Sequence, residues 1–236
     1  MGVKCVKVAI FIDGGFYRRR AQATFGSKTP EDRATELESY CHRHLKNKAN
    51  GTKEAYHLYR IFYYDCPPME KKVYHPWTKK QVDFSKTDLF EWTNKFLNEL
   101  KKKRKFALRL GKLADAQAHY SLRPDILKKL CNKTIEFDDL TENDFSINVE
   151  QKGVDMKIGI DIASLAYKKQ VDQIILISGD SDFVPAAKLA RREGIDFILD
   201  PLGATIKPDL FEHIDGLRSC DKSYTSKYVA SSCSKK

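Results

Sequence analysis

The sequence of 236 residues has no apolar run near the roughly 18 residues needed to cross a membrane. Its opening, MGVKCVKVAIFIDGG, holds a short apolar stretch but no small-residue cleavage site, so it reads as a first strand and not as a secretory leader. Position 6 is Val6, where a myristoylation signal would carry Ser or Thr. No two of the six cysteines, Cys5, Cys41, Cys66, Cys131, Cys220 and Cys233, form a C-x-x-C pair, so the spacing of a zinc site is missing. Without a leader, free thiols in a reducing, cytoplasmic setting are expected. The histidines, at 42, 44, 57, 75, 119 and 213, fall at no metal-binding spacing, and no histidine catalyst is indicated. There is no internal repeat. Acidic residues are in the minority, 32 against 42 Lys and Arg, which leaves a formal charge of +10. A surface of that sign attracts polyanions and puts nucleic acid first among partners.

Short apolar runs alternate with helical patterns. VKVAIFID and VDQIILIS are apolar on both faces, as central parallel strands are. HLYRIFYYDC is aromatic and β-prone, FALRLGKL alternates with a period of two, and IDFILD is a further short strand. FYRRRAQ, after the Gly14-Gly15 break, starts a helix or a loop. The segment from Pro30 is a helix capped by Thr29, with Ala34, Leu37, Cys41 and Leu45 as its apolar stripe. KTDLFEWTNKFLNELKKKRK, VDMKIGIDIASLAYKKQ and DSDFVPAAKLARREG are helices, the last closed by Gly194, and RPDILKKLC and the PLGATIKPDLFEHIDGL segment hold short ones. MEKKVYHPWTKKQVDF reads as a loop, and TIEFDDLTENDFSINVEQ as short strands or loop. The alternation predicts an α/β fold with a mainly parallel sheet. Residues 1–218 are expected to form one domain, elaborated over about 67–150, and the Ser- and Lys-rich 219–236 a flexible tail.

Open parallel sheets bind ligands beyond the carboxyl ends of their strands. Asp13 ends the first strand, Asp180 follows IILIS, Asp182 is two residues on, and Asp155 opens a helix. Alone, each has a plainer reading as a turn residue or a helix cap. Together they fall on one edge, where clustered carboxylates suit Mg²⁺ or Mn²⁺. Such a cation would explain why Asp180 and Asp182 are tolerated so close together. Asp161 lies about 120° from Asp155 around the helix and is expected to support the site or the fold. Ser178 and Ser181 are placed to bond a carboxylate or a phosphate.

FIDGG, KGVDMKIGIDIASLA and ISGDSDFVPAAKLARREGIDFIL, in this order, resemble the NYN domain, a branch of the PIN-like metal-dependent ribonucleases. The resemblance runs from Val6 to about Leu217 and is densest from Lys152 to Leu199. It implies a Rossmann-like three-layer α/β/α sandwich that cuts RNA at an acidic metal site. On this resemblance Asp13, Asp155, Asp180 and Asp182 are the catalytic and metal-binding residues. One departure concerns the Asn that many members carry shortly after the first aspartate. Gly15 and Phe16 stand near that point here, which puts rate and substrate choice in question.

Arg18, Arg19 and Arg20 follow Asp13 where a phosphate backbone would pass, and Lys152 precedes Asp155. KKVYHPWTKK interleaves Lys71 and Lys72 with Tyr74, His75 and Trp77, a mixture that suits single-stranded RNA as well as a core-anchored loop. The expected function is that of a metal-dependent ribonuclease acting on single-stranded or structured RNA. The alternative is a non-catalytic RNA-binding or regulatory protein on the same fold. A homodimer is left open. A haloacid-dehalogenase-like phosphatase is disfavoured, because Phe11 and Gly15 occupy the positions flanking Asp13 where its second acid would stand.

Overall fold

Five consecutive residues of the first strand, Val8 to Ile12, have no exposed surface. Only a strand with neighbours on both sides and a covered layer above and below buries every side chain in turn. The structure, a computed structural model, describes residues 4–46 and 54–225. In chain order its first elements are β1 (Lys4–Asp13), α1 (Gly14–Phe25), α2 (Pro30–His44), β2 (Glu54–Asp65), β3 (Lys72–His75), β4 (Lys80–Asp83) and α3 (Asp88–Lys102). Then come β5 (Phe106–Leu110), β6 (Lys112–Leu113), β7 (His119–Leu122), α4 (Pro124–Cys131), β8 (Phe145–Asn148) and β9 (Gln151–Lys152). The last third holds α5 (Val154–Tyr167), β10 (Gln173–Ile177), α6 (Val184–Arg192), β11 (Asp196–Asp200), α7 (Pro208–Glu212), β12 (Gly216–Leu217) and α8 (Lys222–Thr225).

The chain forms two compact units where the sequence suggested one elaborated domain. The first comprises the described residues of Met1–Asp65, Lys95–Gly111 and Gly153–Lys236; the second comprises Cys66–Asn94 and Lys112–Lys152. The first unit contains a six-stranded sheet in the order β12-β11-β10-β1-β2-β5, with every pairing parallel. Numbered along the chain, those strands read 6-5-4-1-2-3, the order of a doubly wound sheet. Winding runs one way from β1 and the other way from β10, so right-handed crossovers put helices on both faces. This is the α/β fold with a parallel sheet that the alternating pattern predicted, and the sandwich that the resemblance implied. Phe11 stacks on Phe62 at 5.0 Å, and Tyr63 meets Phe96 edge-on at 5.7 Å, so the aromatic residues of β2 fill both layers.

The helix starts follow their sequence cues. The Thr29 hydroxyl accepts the Asp32 N–H at 3.1 Å and Pro30 takes the first turn of α2. α5 begins after Gly153, at φ 80°, a conformation that favours glycine. The pattern at DSDFVPAAKLARREG divides in two: a 3-10 turn at Ser181–Phe183, then α6. The C-terminal segment departs from the flexible tail expected. Ser219 donates to Asp200 at 2.6 Å, the Cys220 N–H donates to the Tyr40 hydroxyl at 3.2 Å, and Tyr224 is 2% exposed against Tyr40 and Phe25. Residues 219–225 are thus part of the first unit; 226–236 lie outside the described residues.

In the second unit, the segment read as a loop is a hairpin. β3 pairs antiparallel with β4, from Lys72 opposite Asp83 to His75 opposite Lys80. Lys72 and Tyr74 face out while Val73 and His75 face in, a period of two masked by the lysines and by Pro76 in the turn. The stretch read as short strands or loop, TIEFDDLTENDFSINVEQ, holds 3-10 turns at Phe137–Asp139 and Glu142–Asp144, then β8 and β9. β7 and β8 form a second antiparallel pair, and His75 packs on Tyr120 at 4.2 Å and Phe145 at 5.5 Å. Cys5, Cys41, Cys131 and Cys220 are unbridged; Cys233 lies outside the described residues. No described helix is long and apolar enough to cross a membrane.

Candidate active site

The sheet reverses its winding between β1 and β10, and at that seam the connections leaving the two strands diverge. Ile12 pairs with Ile177, which brings Asp13 level with Ser178. The buried Ser178 hydroxyl donates to Asp13 Oδ2 at 3.3 Å and accepts the Asp180 N–H at 3.2 Å. Asp13 Oδ1 accepts the Phe16 N–H at 3.0 Å, so this carboxylate also caps α1, which follows the strand without a loop. Asp180 Oδ1 accepts the Asp182 N–H at 3.0 Å and caps the 3-10 turn. Two glycines let these backbones close up. A Cβ on Gly14 would stand 2.5 Å from the Tyr63 ring and 2.6 Å from the Tyr64 carbonyl oxygen, and one on Gly179 would stand 2.9 Å from the Phe16 ring.

Asp155 sits in the first turn of α5, after the Gly153 cap, and is exposed like Asp180 and Asp182. Burial raises the Asp13 carboxyl above its ordinary range and Asp155 raises it further, against the Phe16 N–H, Arg19 and the Ser178 hydroxyl, which lower it. Asp155, although exposed, is raised by partial desolvation, with Asp180 and then Asp182 adding to the shift. Repulsion of this kind links all four carboxylates into one field, and a cation among them would relieve it. Their all-oxygen chemistry fits Mg²⁺ or Mn²⁺. As the side chains stand, no group of three or more His, Cys, Asp or Glu among the described residues is closed up to hold an ion. The donor set fits such an ion in kind.

Two further strands of the sheet end in aspartate, and these residues are committed elsewhere. Asp65, at the end of β2 and wholly buried, is bonded by Arg18 at 2.9 Å and by the Tyr63 hydroxyl at 2.9 Å. Asp200, at the end of β11 and also wholly buried, is met by Tyr40, by His44 Nε2 at 2.9 Å, by the Leu202 N–H at 2.9 Å and by Ser219. Strand-end position alone therefore does not single out a site. Asp161 is also held, by the Tyr64 hydroxyl at 2.7 Å and Arg109 at 3.2 Å.

Of the three arginines after Asp13, Arg18 belongs to Asp65, and Arg20 donates twice to the Leu202 carbonyl, at 2.9 and 3.1 Å. Arg19 is exposed and lies close enough to lower the Asp13 carboxyl. Lys152, Lys71, Lys72 and Trp77 belong to the second unit. There Lys152 is exposed in β9, and Lys71 donates to the carbonyls of Asp115 and Ala116. Lys72 lies 3.8 Å from Asp83, and Trp77 packs against Phe137 and Phe145. Ser181 accepts a hydrogen bond from Lys207, a residue that no motif or spacing marked.

Among solved structures, a protein of unknown function from Vibrio parahaemolyticus is similar in fold. The two share a TM-score of 0.51 and 14% identity, over 94% of this chain and 98% of that one. No curated protein sequence matches the chain. The NYN domain profile matches residues 7–206, from β1 through β11 and beyond. A match over that span shows that the chain belongs to the NYN domain family, within the PIN-like superfamily of nuclease-like folds.

Proposed function

We propose that this protein is a divalent-metal-dependent ribonuclease that hydrolyses RNA phosphodiester bonds. The observation that supports the reading is that Asp13, beside Ser178 at the switch point of the sheet, feels Asp155, which in turn feels Asp180 and Asp182. Asp13 and Asp155 there are pushed toward protonation by burial and by neighbouring carboxylates. These four residues would hold Mg²⁺ or Mn²⁺. When bound, the ion supplies Lewis-acid stabilisation of charge building on a phosphoryl oxygen. Ser178 keeps the two strand ends in register by bonding Asp13 and the Asp180 backbone together. Arg19 offers positive charge to the RNA backbone beside Asp13, and the net charge of +10 draws the polyanion in. The setting proposed is cytoplasmic.

A second reading is a non-catalytic RNA-binding protein. It is favoured by Phe16, which stands near the point where many family members carry Asn and would abut any side chain at Gly179. One experiment separates the two: incubation of end-labelled single-stranded and structured RNA with Mg²⁺, Mn²⁺ or EDTA, with Asp180→Asn in parallel. Metal-dependent cutting that the variant lacks supports the nuclease. RNA binding that survives EDTA, with no cutting in any lane, supports the binding protein.

A further inference from the structure

Ser181 stands between Asp180 and Asp182, and its hydroxyl accepts a hydrogen bond of 3.1 Å from the Lys207 ammonium, 26 positions away. The backbone that delivers this lysine is pinned on both sides. Ile206 before it is 8% exposed, Pro208 after it opens α7, and Leu210 in that helix is wholly buried. A residue before proline is kept out of the helical region, and Lys207 is extended at φ −72°, ψ 146°. The ammonium is thus presented from a fixed backbone.

An ammonium carries three donors. Among the described residues the Lys207 side chain uses one, on Ser181, and it forms no ion pair although an aspartate stands on either side of its partner. Its surface remains exposed. A lysine serving only to neutralise Asp180 or Asp182 would be paired with one of them. A phosphodiester entering a field of four carboxylates meets repulsion, and a cation with donors to spare at the rim offsets it. Lysine does this as a compact point charge.

We infer that Lys207 is a phosphate-binding residue. Its remaining donors take a non-bridging oxygen of the RNA phosphodiester that enters the carboxylate site, with the Ser181 hydroxyl beside it. The inference rests on the proposed action on RNA, and two readouts separate its failure from the failure of that reading. The first is the salt dependence of binding to a fluorescent single-stranded RNA, with Ca²⁺ present and RNA integrity checked on a gel. Wild type, Lys207→Gln and Lys188→Gln are compared, Lys188 being an exposed lysine in the middle of α6. Loss of one phosphate contact lowers the slope of log K against log salt by about 0.7. That drop is expected for Lys207→Gln alone. An unchanged slope, or an equal drop for Lys188→Gln, overturns the inference, as does a wild type that binds no RNA.

The second readout is single-turnover cleavage in Mn²⁺. Lys207→Gln is expected to slow it by about a hundred-fold, with Lys207→Arg recovering most of the rate. A wild type that cuts, with Lys207→Gln matching it in rate and slope, removes the role of Lys207 and leaves the nuclease. A wild type that never cuts, with the slope drop intact, removes the nuclease and leaves the phosphate contact.

Discussion

The Ser178 hydroxyl donates to Asp13 across the seam between β1 and β10, joining residues 165 positions apart in the chain. The same oxygen accepts the Asp180 N–H, so a single buried side chain ties the end of β1 to the turn that follows β10.

Replacing Asp13 or Asp180 by Asn is expected to lower RNA cleavage about a thousand-fold, in keeping with several kcal/mol of lost charge stabilisation. Single-turnover rates in Mn²⁺ test this, and a variant within ten-fold of wild type removes that residue from the site.

The stability of Asp13→Asn should move the other way. The folded Asp13 carboxyl holds its proton to higher pH than the ordinary value of 3.8. Between that value and the raised one the native state binds more protons than the unfolded state, so stability falls as pH rises through the window. Asn keeps an acceptor for the Phe16 N–H and carries no charge. Its melting temperature at pH 7 should equal or exceed that of wild type, with any gain gone below pH 3.8. A lower melting temperature at pH 7 than at pH 3, relative to wild type, contradicts this.

Saturating Mn²⁺ should raise thermal stability. An ion at a hundred times its dissociation constant contributes about 2.7 kcal/mol. Because the ion competes with protons on Asp13 and Asp155, binding should tighten as pH rises through their raised range. Thermal melts across pH, with and without Mn²⁺, measure both effects. Asp180→Asn should lose most of the shift.

Arg18→Ala should destabilise the first unit by about 3 kcal/mol, because it leaves the Asp65 carboxylate buried without its guanidinium. Denaturant titration checks this. A cost below 1 kcal/mol, on the scale of an exposed ion pair, would show that Asp65 is not held as described.

Gly14→Ala puts a methyl group within 2.6 Å of the Tyr64 carbonyl and closer still to the Tyr63 ring. Overpacking of that kind costs about 1–3 kcal/mol. Because Gly14 follows Asp13 directly, cleavage should fall together with stability. A variant that folds and cuts like wild type would mean that the β1–α1 junction has room to spare.

Where a segment's own pattern decides its structure, the sequence was readable. Gln173–Ile177 is buried throughout, as its apolar run implied, and Thr29 caps the helix that Pro30 opens. The positions of Asp13 at a strand end, of Asp155 in a first helical turn and of Asp180 and Asp182 after β10 were also legible. What failed to show depends on distant partners. In sequence Asp65 and Asp200 end their strands much as Asp13 does. Arg18 retires one, and Tyr40, His44 and Ser219 retire the other, from positions no local pattern connects. The β3–β4 hairpin was hidden because its outward face is charged, and the second unit because the chain leaves the sheet after β2, returns for β5 and leaves again before α5.

The central placement of β1 beside β10 also sets an order in time. Asp13 leaves the ribosome 165 residues ahead of its partner Ser178. At 5–20 residues per second that interval is roughly ten to thirty seconds. During it β1 has neither its neighbour on that side nor the serine that steadies its terminal carboxylate. Until β10 docks, Asp13 has no Ser178 beside it, and the candidate site cannot assemble.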